Sequence, residues 1–473
     1  MSSDPQQFLP WLFPRLLGGV YLLAFGSLLF QVRGLYGAQG ILPIATFLEE
    51  LRAGLGKRAY RLCPSLFWLY SSDAALVAGC LLGVLLALLL MAGLAPVPLL
   101  FLLWLLYLSF VAAGQDFLSF QWDTLLLETG FMTIFLPLAA PAPWLVVFTY
   151  CFFLFRFMVS SGAVKLLSGD PNWRNLSAMC YHYETQPIPN RLAWYAHRQP
   201  VALQKVGTLM TFFFELALPF LALGPQPARL CCFVLMVLFQ ALIFATGNYG
   251  FFNILTVVLS VPLLDDRLLA PYLELPAATA SGPASLALSL IFGVFLLLNL
   301  GQLMALFYRP AWFRQLLRWL SPFMISNHYG LFAVMTTERF EFAIEGSDDA
   351  VESPSTVWKE YHLKGKPGVP ARMPPQIAPY HLRLDWQMWF AALNPGEIEP
   401  WLGSLIVQLL QGSPAVLPLF KHTPFPDSPP AYLRLSVYRY HFSTRQVKRA
   451  RGVWWERTLL GRFQPMALKK DEA

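Results

Sequence analysis

The densest group of residues able to do chemistry lies between positions 114 and 128. There Gln115, Asp116, Gln121, Asp123 and Glu128 interrupt an otherwise apolar run. Carboxylates and amides in such surroundings are costly unless they face a protein interior or a cavity. If the segment is helical, Asp116 and Asp123, seven residues apart, share one face, and Gln121 and Glu128 share another. Paired carboxylates on a helix can hold a cation or relay protons. The simpler reading is a helix entry at the membrane interface, with the two aspartates bonded to backbone or to loop arginines. Arg156 sits inside Phe152–Val159, and a guanidinium there requires a carboxylate, for which Asp123 and Glu128 are the candidates. Lys165 follows Ser160-Ser161-Gly162-Ala163-Val164 at the end of the same apolar run. It either snorkels to the interface or, if desolvated, acts as a base.

A second group occupies positions 181–190, where His182, Tyr183, Glu184 and Gln186 offer hydrogen-bonding groups. On an extended backbone His182 and Glu184 share a face. One histidine and one glutamate do not make a metal site, and adding His197 does not improve the spacing. The segment is expected to pack on the membrane surface through its aromatic side chains. Asn248 and Asn253 flank a helix junction, where capping and interhelical hydrogen bonds account for them. The chain has no P-loop, no GxSxG, no GxGxxG before a helix and no Cys/His pairing. Neither a metal nor a cofactor is called for by these residues. Among the six cysteines, Cys63 and Cys180 lie in polar connections and could pair, whereas the others lie in apolar stretches.

The elements that must hold these groups are membrane helices. Of the 473 residues 56% are hydrophobic and 13% charged, against about 25% charged in an average soluble domain. Residues 1–306 hold 14 Lys+Arg and 13 Asp+Glu, and residues 307–473, about half as many residues, hold 20 and 14. This reads as a lipid-embedded bundle over 1–306, an amphipathic linker over 307–328 and a soluble domain over 329–473. The bundle has about nine spans: 11–30, 73–93, 97–113, 123–140, 143–164, 206–223, 228–246, 249–264 and 284–307. Residues 1–10 carry Asp4 and no basic residue, unlike a cleaved signal peptide. Nine spans place the connections 31–72 and 165–205 on the same side as everything after 307, and that side is arginine-rich. The positive-inside tendency would make it cytoplasmic. The net charge of +7 suits an anionic membrane surface and forms no stripe for nucleic acid.

In the last third, Phe340, Phe342 and Ile344 alternate with Glu341, Ala343 and Glu345 as in a half-buried strand. Gly346–Asp349 is turn chemistry. Further strands are expected at Trp358–Leu363 and Tyr432–Phe442, a strand or helix start at His381–Trp389, and a helix at 400–411. The domain is therefore expected to be a β-rich, sandwich-like α+β unit.

The stretches GQDFLSFQWDTLLLETGFMTIFLP (114–137), YHYETQPIPN (181–190) and LDWQMWFAAL (384–393) resemble the signature segments of the lipase maturation factors. The last contains Asp385, Trp386, Gln387 and Trp389, and Phe425–Pro430 with Tyr438-Arg439-Tyr440 fits the same pattern. The resemblance implies a multi-span protein that helps lipases fold and assemble, as a chaperone without established catalytic residues. It implies client contacts in 329–473 and an exported, lipase-like client. The membrane would be that of the endoplasmic reticulum in a eukaryote and the inner (cell) membrane in a bacterium. This places the soluble domain outside the cytoplasm, against the arginine count.

A fainter resemblance runs over FMVSSGAVKLLSGDPNW (157–173), which is similar to the active-site lysine segment of vitamin K-dependent gamma-glutamyl carboxylase. It implies a carboxylase-like alternative with Lys165 as base, Asp116, Asp123 or His182 nearby, and a quinone-type cofactor. A transporter is a third reading, suggested by Asp123, Glu128 and Arg156, but no inverted repeat supports it. The run 344–349 followed by 358–361 also looks like strands of carbohydrate-binding modules, and packing on the bundle is the plainer use for it.

Overall fold

The computed structural model describes residues 6–272, 284–349, 353 and 355–467. The bundle consists of α1 (Phe8–Leu29), α2 (Asp73–Met91), α3 (Pro96–Ala113), α4 (Gln121–Thr133), α5 (Trp144–Leu167), α6 (Val201–Phe212), α7 (Gln226–Thr246), α8 (Phe252–Ser260) and α9 (Ala284–Met304). Apolar composition makes these segments helical in lipid, where each backbone N–H needs an internal partner. Their starts carry the expected signals: Ser72 caps α2 by accepting from Ala75 N–H at 3.3 Å, and Pro96 opens α3.

Among the described residues seven helices are long and apolar enough to cross a membrane, against the nine spans expected. The other two, α4 and α8, are 13 and 9 residues long and continue as 3-10 turns at Leu136–Leu138 and Val261–Leu263. Both still run the length of the bundle. At one end Gln6 bridges Ala142, just past the α4 turn, and donates to Leu264 O, just past α8, at 2.9 Å. At the other end the start of α4 and the start of α8 lie against the C-terminal region, through Arg383 to Phe117 O at 2.8 Å and Asn248 to Pro375 O at 2.9 Å. They are short because they are enclosed by longer helices and need not match the bilayer themselves.

The connections 31–72 and 165–205 and the chain after α9 gather at one end, as expected. Ser413 donates to Gln39 O at 2.7 Å and Trp194 to Ser443 O at 3.0 Å. Helix Ala311–Leu320 is amphipathic, with Phe313 buried under α9 at Gly301 and Trp312 and Trp319 exposed.

The C-terminal sheet has four antiparallel strands in the order β2-β1-β3-β4: β1 Arg339–Ser347, β2 Lys359–Glu360, β3 Tyr432–Phe442 and β4 Trp455–Arg462. The strand read at Phe340–Glu345 forms with its side chains alternating between two faces, but it is buried on both of them and not half-buried, because its polar face is covered as well. Phe342 and Ile344 stand beside Val437 and Leu435 on one face, over helix Pro400–Leu410. Arg339 and Glu341 stand beside Tyr440 and Tyr438 on the other. The sheet is single among the described residues. Where a sandwich would place a second sheet, helix Pro400–Leu410 covers one face, and Trp194 with Trp454 packs on Tyr440, Phe442 and Trp455 of the other. Strand β1 includes Gly346 and Ser347, so the expected turn begins two residues later. His381–Trp389 resolves as helix Arg383–Ala391. One apolar cluster runs unbroken from Phe8 to Val437, so bundle and sheet share a core.

Candidate functional site

Two places concentrate buried polar chemistry: the junction where the C-terminal region meets the bundle, and a chamber beside α5. The segment 114–128 is not one helix. Gln115–Leu118 is a 3-10 turn and Phe120 is extended before α4 begins. The expected Asp116–Asp123 face therefore does not form. Asp116 is exposed, its carbonyl accepting from Gln387 Nε2, and Gln115 reaches Leu42 O at 3.4 Å.

Asp123 is fully buried, and its partner is Arg383, 260 residues away. Arg383 NH1 to Oδ2 and NH2 to Oδ1 are both 2.9 Å, a two-pronged pairing that suits the planar guanidinium. Tyr107 also donates to Asp123, and Gln31 fixes the backbone here by donating to His381 O at 2.7 Å and accepting from Arg383 N–H at 3.0 Å. The expected sharing of a face by Gln121 and Glu128 is observed. Gln121 Oε1 accepts from Gly330 N–H at 2.9 Å, while Glu128 accepts from Tyr329 OH at 2.7 Å and Asn327 N–H at 2.9 Å. Glu128, not Asp123, is the partner of Arg156, at 2.5 Å.

The segment 181–190 is neither extended nor laid on the membrane surface. Residues Ala178–Thr185 are helical, which turns His182 and Glu184 to opposite sides. Glu184 faces the sheet, accepting from Phe442 N–H at 2.6 Å and lying 3.0 Å from His441 Nδ1 and 3.4 Å from His197 Nε2. Arg339 of β1 donates to the carbonyls of Glu184 at 2.9 Å, Gln186 at 2.5 Å and Pro187 at 3.0 Å. Trp389 donates to Thr185 O at 2.7 Å. Trp386 packs edge-on against Trp122 and Phe120 beside His381, whose ring nitrogens have no partner and whose protonation is strongly disfavoured, by burial first and then by Arg383.

Asp385 turns inward and accepts from the N–H groups of Gly365 at 2.5 Å and Lys366 at 3.0 Å. Burial nevertheless pushes its carboxyl above the usual range. Glu341 lies between Arg339 at 2.5 Å and Lys366 at 2.6 Å, as ion pairs without hydrogen-bond alignment. Burial, which outweighs Glu341, lowers the Lys366 ammonium to about 8.

Lys165 does not snorkel. It is buried, 2.8 Å from Glu215, and donates to Ser161 O at 3.0 Å. Glu215 sits in a π-helical turn, Phe213–Ala217, between α6 and the 3-10 turn Leu218–Leu223. Such a turn re-aims one side chain within a helix and recurs at functional sites. Gly162 lets α5 come close here: a Cβ on it would lie 2.7 Å from Leu216 and 3.0 Å from Glu215 Cβ. His182 faces the same chamber and bonds Tyr249 OH at 3.1 Å, which in turn donates to Gln186 Oε1 at 3.0 Å. Burial, with Lys165 as a second cause, lowers the His182 imidazole to about 4. Tyr183 lines the chamber as well. Lys165 and His182 thus meet in one place, but Asp123 is held by Arg383 and Asp116 is exposed elsewhere. The base-and-carboxylate set imagined around Lys165 is not assembled.

All six cysteines are free, so Cys63 and Cys180 do not pair, and Cys63 Sγ lies 3.3 Å from Ala112 O. Among the described residues no group of histidine, cysteine and carboxylates has a metal-binding arrangement. Glu215, Arg339 and Arg383 were missed in the sequence. A lone Glu in the apolar run Phe212–Phe220 was a visible signal for the first. The two arginines lie in segments of ordinary soluble composition and gave none.

Residues 9–271 match the lipase maturation factor transmembrane domain, and residues 325–465 match the lipase maturation factor C-terminal domain. Lipase maturation factor 1 of Bos taurus is 36% identical over 97% of this chain and 88% of its own length. Lipase maturation factor 2 of Xenopus laevis is 34% identical over 96% and 82%. Lipase maturation factor 1 of Homo sapiens is 34% identical over 96% and 87%. No solved structure matches.

Proposed function

The chain belongs to the lipase maturation factor family, an integral membrane lineage, and on that premise we propose that it is a membrane-anchored chaperone for exported proteins such as lipases. Residues 1–306 serve as the anchoring bundle, 307–328 as an amphipathic linker and 329–473 as the client-facing domain. The observation that carries this reading is that both parts of the family match in order along nearly the whole chain.

The burial of Asp123, Glu128 and Glu184 against the C-terminal region supports a rigid platform over a tethered, independent module. Exposed apolar side chains on that region, among them Phe390, Leu459 and Leu460, offer contact surface for an unfolded client. The role requires residues 329–473 to face the space where exported proteins fold. That is the lumen of the endoplasmic reticulum in a eukaryote and the outer side of the cell membrane in a bacterium.

The test is expression in cells lacking their own lipase maturation factor, with secreted lipase activity measured per mass of lipase. Recovery of active secreted enzyme is expected. Inserted, stable protein with no recovery, together with a fluorescent rather than phosphatase-active fusion after Ala473, would overturn the proposal.

A further inference from the structure

The chamber beside α5 measures about 460 Å³, within the roughly 300–1,000 Å³ of small-molecule sites. Its walls are mostly apolar: Met179, Phe214 and Phe239 among others. Leu203, Val206 and Met210 of α6 and Leu242 of α7 line it and are 53%, 49%, 40% and 60% exposed. These side chains stand on the outer surface of two membrane-spanning helices. The mouth therefore opens sideways into lipid.

The charged and titratable groups gather at one end. Lys165, Glu215, His182 and Tyr249 meet there under Leu331 and Phe332, near the end of the bundle that carries the C-terminal region. The unpartnered indole N–H of Trp122, itself buried, belongs to the same wall. An enclosed polar end and an apolar mouth match the division of an amphiphile into head and tail.

The charges restrict its chemistry. Lys165 and Glu215 satisfy each other, and His182 shares its Nε2 with Tyr249. A charged headgroup entering here would remain unpaired in a desolvated site, at a cost of several kcal/mol. A hydroxyl or ester oxygen would instead find the unpartnered N–H of Trp122 as its donor.

We propose that this chamber is a binding site for a membrane lipid that bears hydroxyl or ester oxygens and no charged group, entering between α6 and α7 with its polar end toward Tyr249 and the Lys165–Glu215 pair. The site is built mainly from the bundle, with Leu331 and Phe332 of the C-terminal region as its roof, and the proposal does not depend on the chaperone reading.

The full chain is reconstituted in phosphatidylcholine vesicles with a diacylglycerol carrying a diazirine in one acyl chain, irradiated, and its labelled peptides mapped. Labelling is expected at Met179, Phe214 and Phe239. Gly207 lines the chamber, and a Cβ there makes only ordinary contact with Met179 at 3.5 Å, so Gly207→Trp should fill the space without displacing the helix. It should cut chamber labelling by about tenfold. Labelling of Leu290 and Leu297, exposed on the outer face of α9, should not change. Thr211→Phe, one turn along, serves as a second blocking variant if Gly207→Trp does not insert. Unlabelled diacylglycerol should compete and phosphatidylglycerol should not. Label spread evenly onto α9, chamber labelling that survives a well-inserted blocking variant, or equal competition by phosphatidylglycerol would each overturn the proposal.

Discussion

Arg383, on a helix of the C-terminal region, and Asp123, on the fourth helix of the bundle, form a two-pronged ion pair in which neither side chain is exposed. Removing one partner of such a pair leaves a buried charge uncompensated, which costs about 3–5 kcal/mol. Arg383→Leu should therefore lower the unfolding midpoint in detergent sharply. The double change Asp123→Leu with Arg383→Leu should cost less than the two single changes added. Arg383→Lys should fail to restore stability, because an ammonium cannot make both contacts. Thermal unfolding of the four proteins checks this.

Arg339 donates to three carbonyls of the 184–187 segment, those of Glu184, Gln186 and Pro187. Arg339→Lys keeps the charge and loses the fork. We expect roughly 1–3 kcal/mol of destabilisation per carbonyl left unsatisfied. The loss should appear locally as faster hydrogen exchange in 181–197 before the bundle helices respond.

Gly162 marks the closest approach of the fifth helix to the π turn that carries Glu215. Gly162→Leu should separate them and cost about 1–3 kcal/mol, the usual range for overpacking. Gly207→Leu, on a wall with open space, should be nearly neutral under the same measurement.

Stability should fall in mild acid. The His182 imidazole lies near 4 in the folded chain, against the usual 6.5, and His197 and His381 are lowered in the same sense. As pH drops below 6.5 the unfolded chain takes up protons that the folded chain refuses, so the loss begins there and for His182 is complete near 4. Its share is at most about 3 kcal/mol. His182→Gln should flatten this part of the profile; an unchanged slope between pH 6.5 and 4 would refute the assignment.

What the sequence disclosed follows the range over which each signal acts. Hydropathy is local, so the long helices and the alternating strand at Phe340–Ile344 were legible. The shared face of Gln121 and Glu128 was legible because helical spacing relates them. Arg156 called for a carboxylate, and Glu128 is the one that answers. Asp123 could not be matched, since its partner lies 260 residues on in a segment of soluble composition. His182 and Glu184 were misplaced because their alternation was read on an extended backbone, whereas Ala178–Thr185 is helical and turns them apart. The sandwich failed for a similar reason: the cover for the sheet comes from Trp194 in a membrane connection.

The spacing of Asp123 and Arg383 also sets a schedule. The chain is made from its N-terminus at about 5–20 residues per second, so a gap of 260 residues lasts roughly 13–50 s. For that interval the fourth helix exists without the guanidinium that later neutralises it. It cannot settle into its final enclosed position as a charged helix until the last third of the protein has been synthesised and folded back. Assembly of this bundle is therefore a closing step that follows translation of the C-terminal region, and a ribosome stalled before Arg383 would leave an unfinished membrane protein with its acidic helix still seeking water.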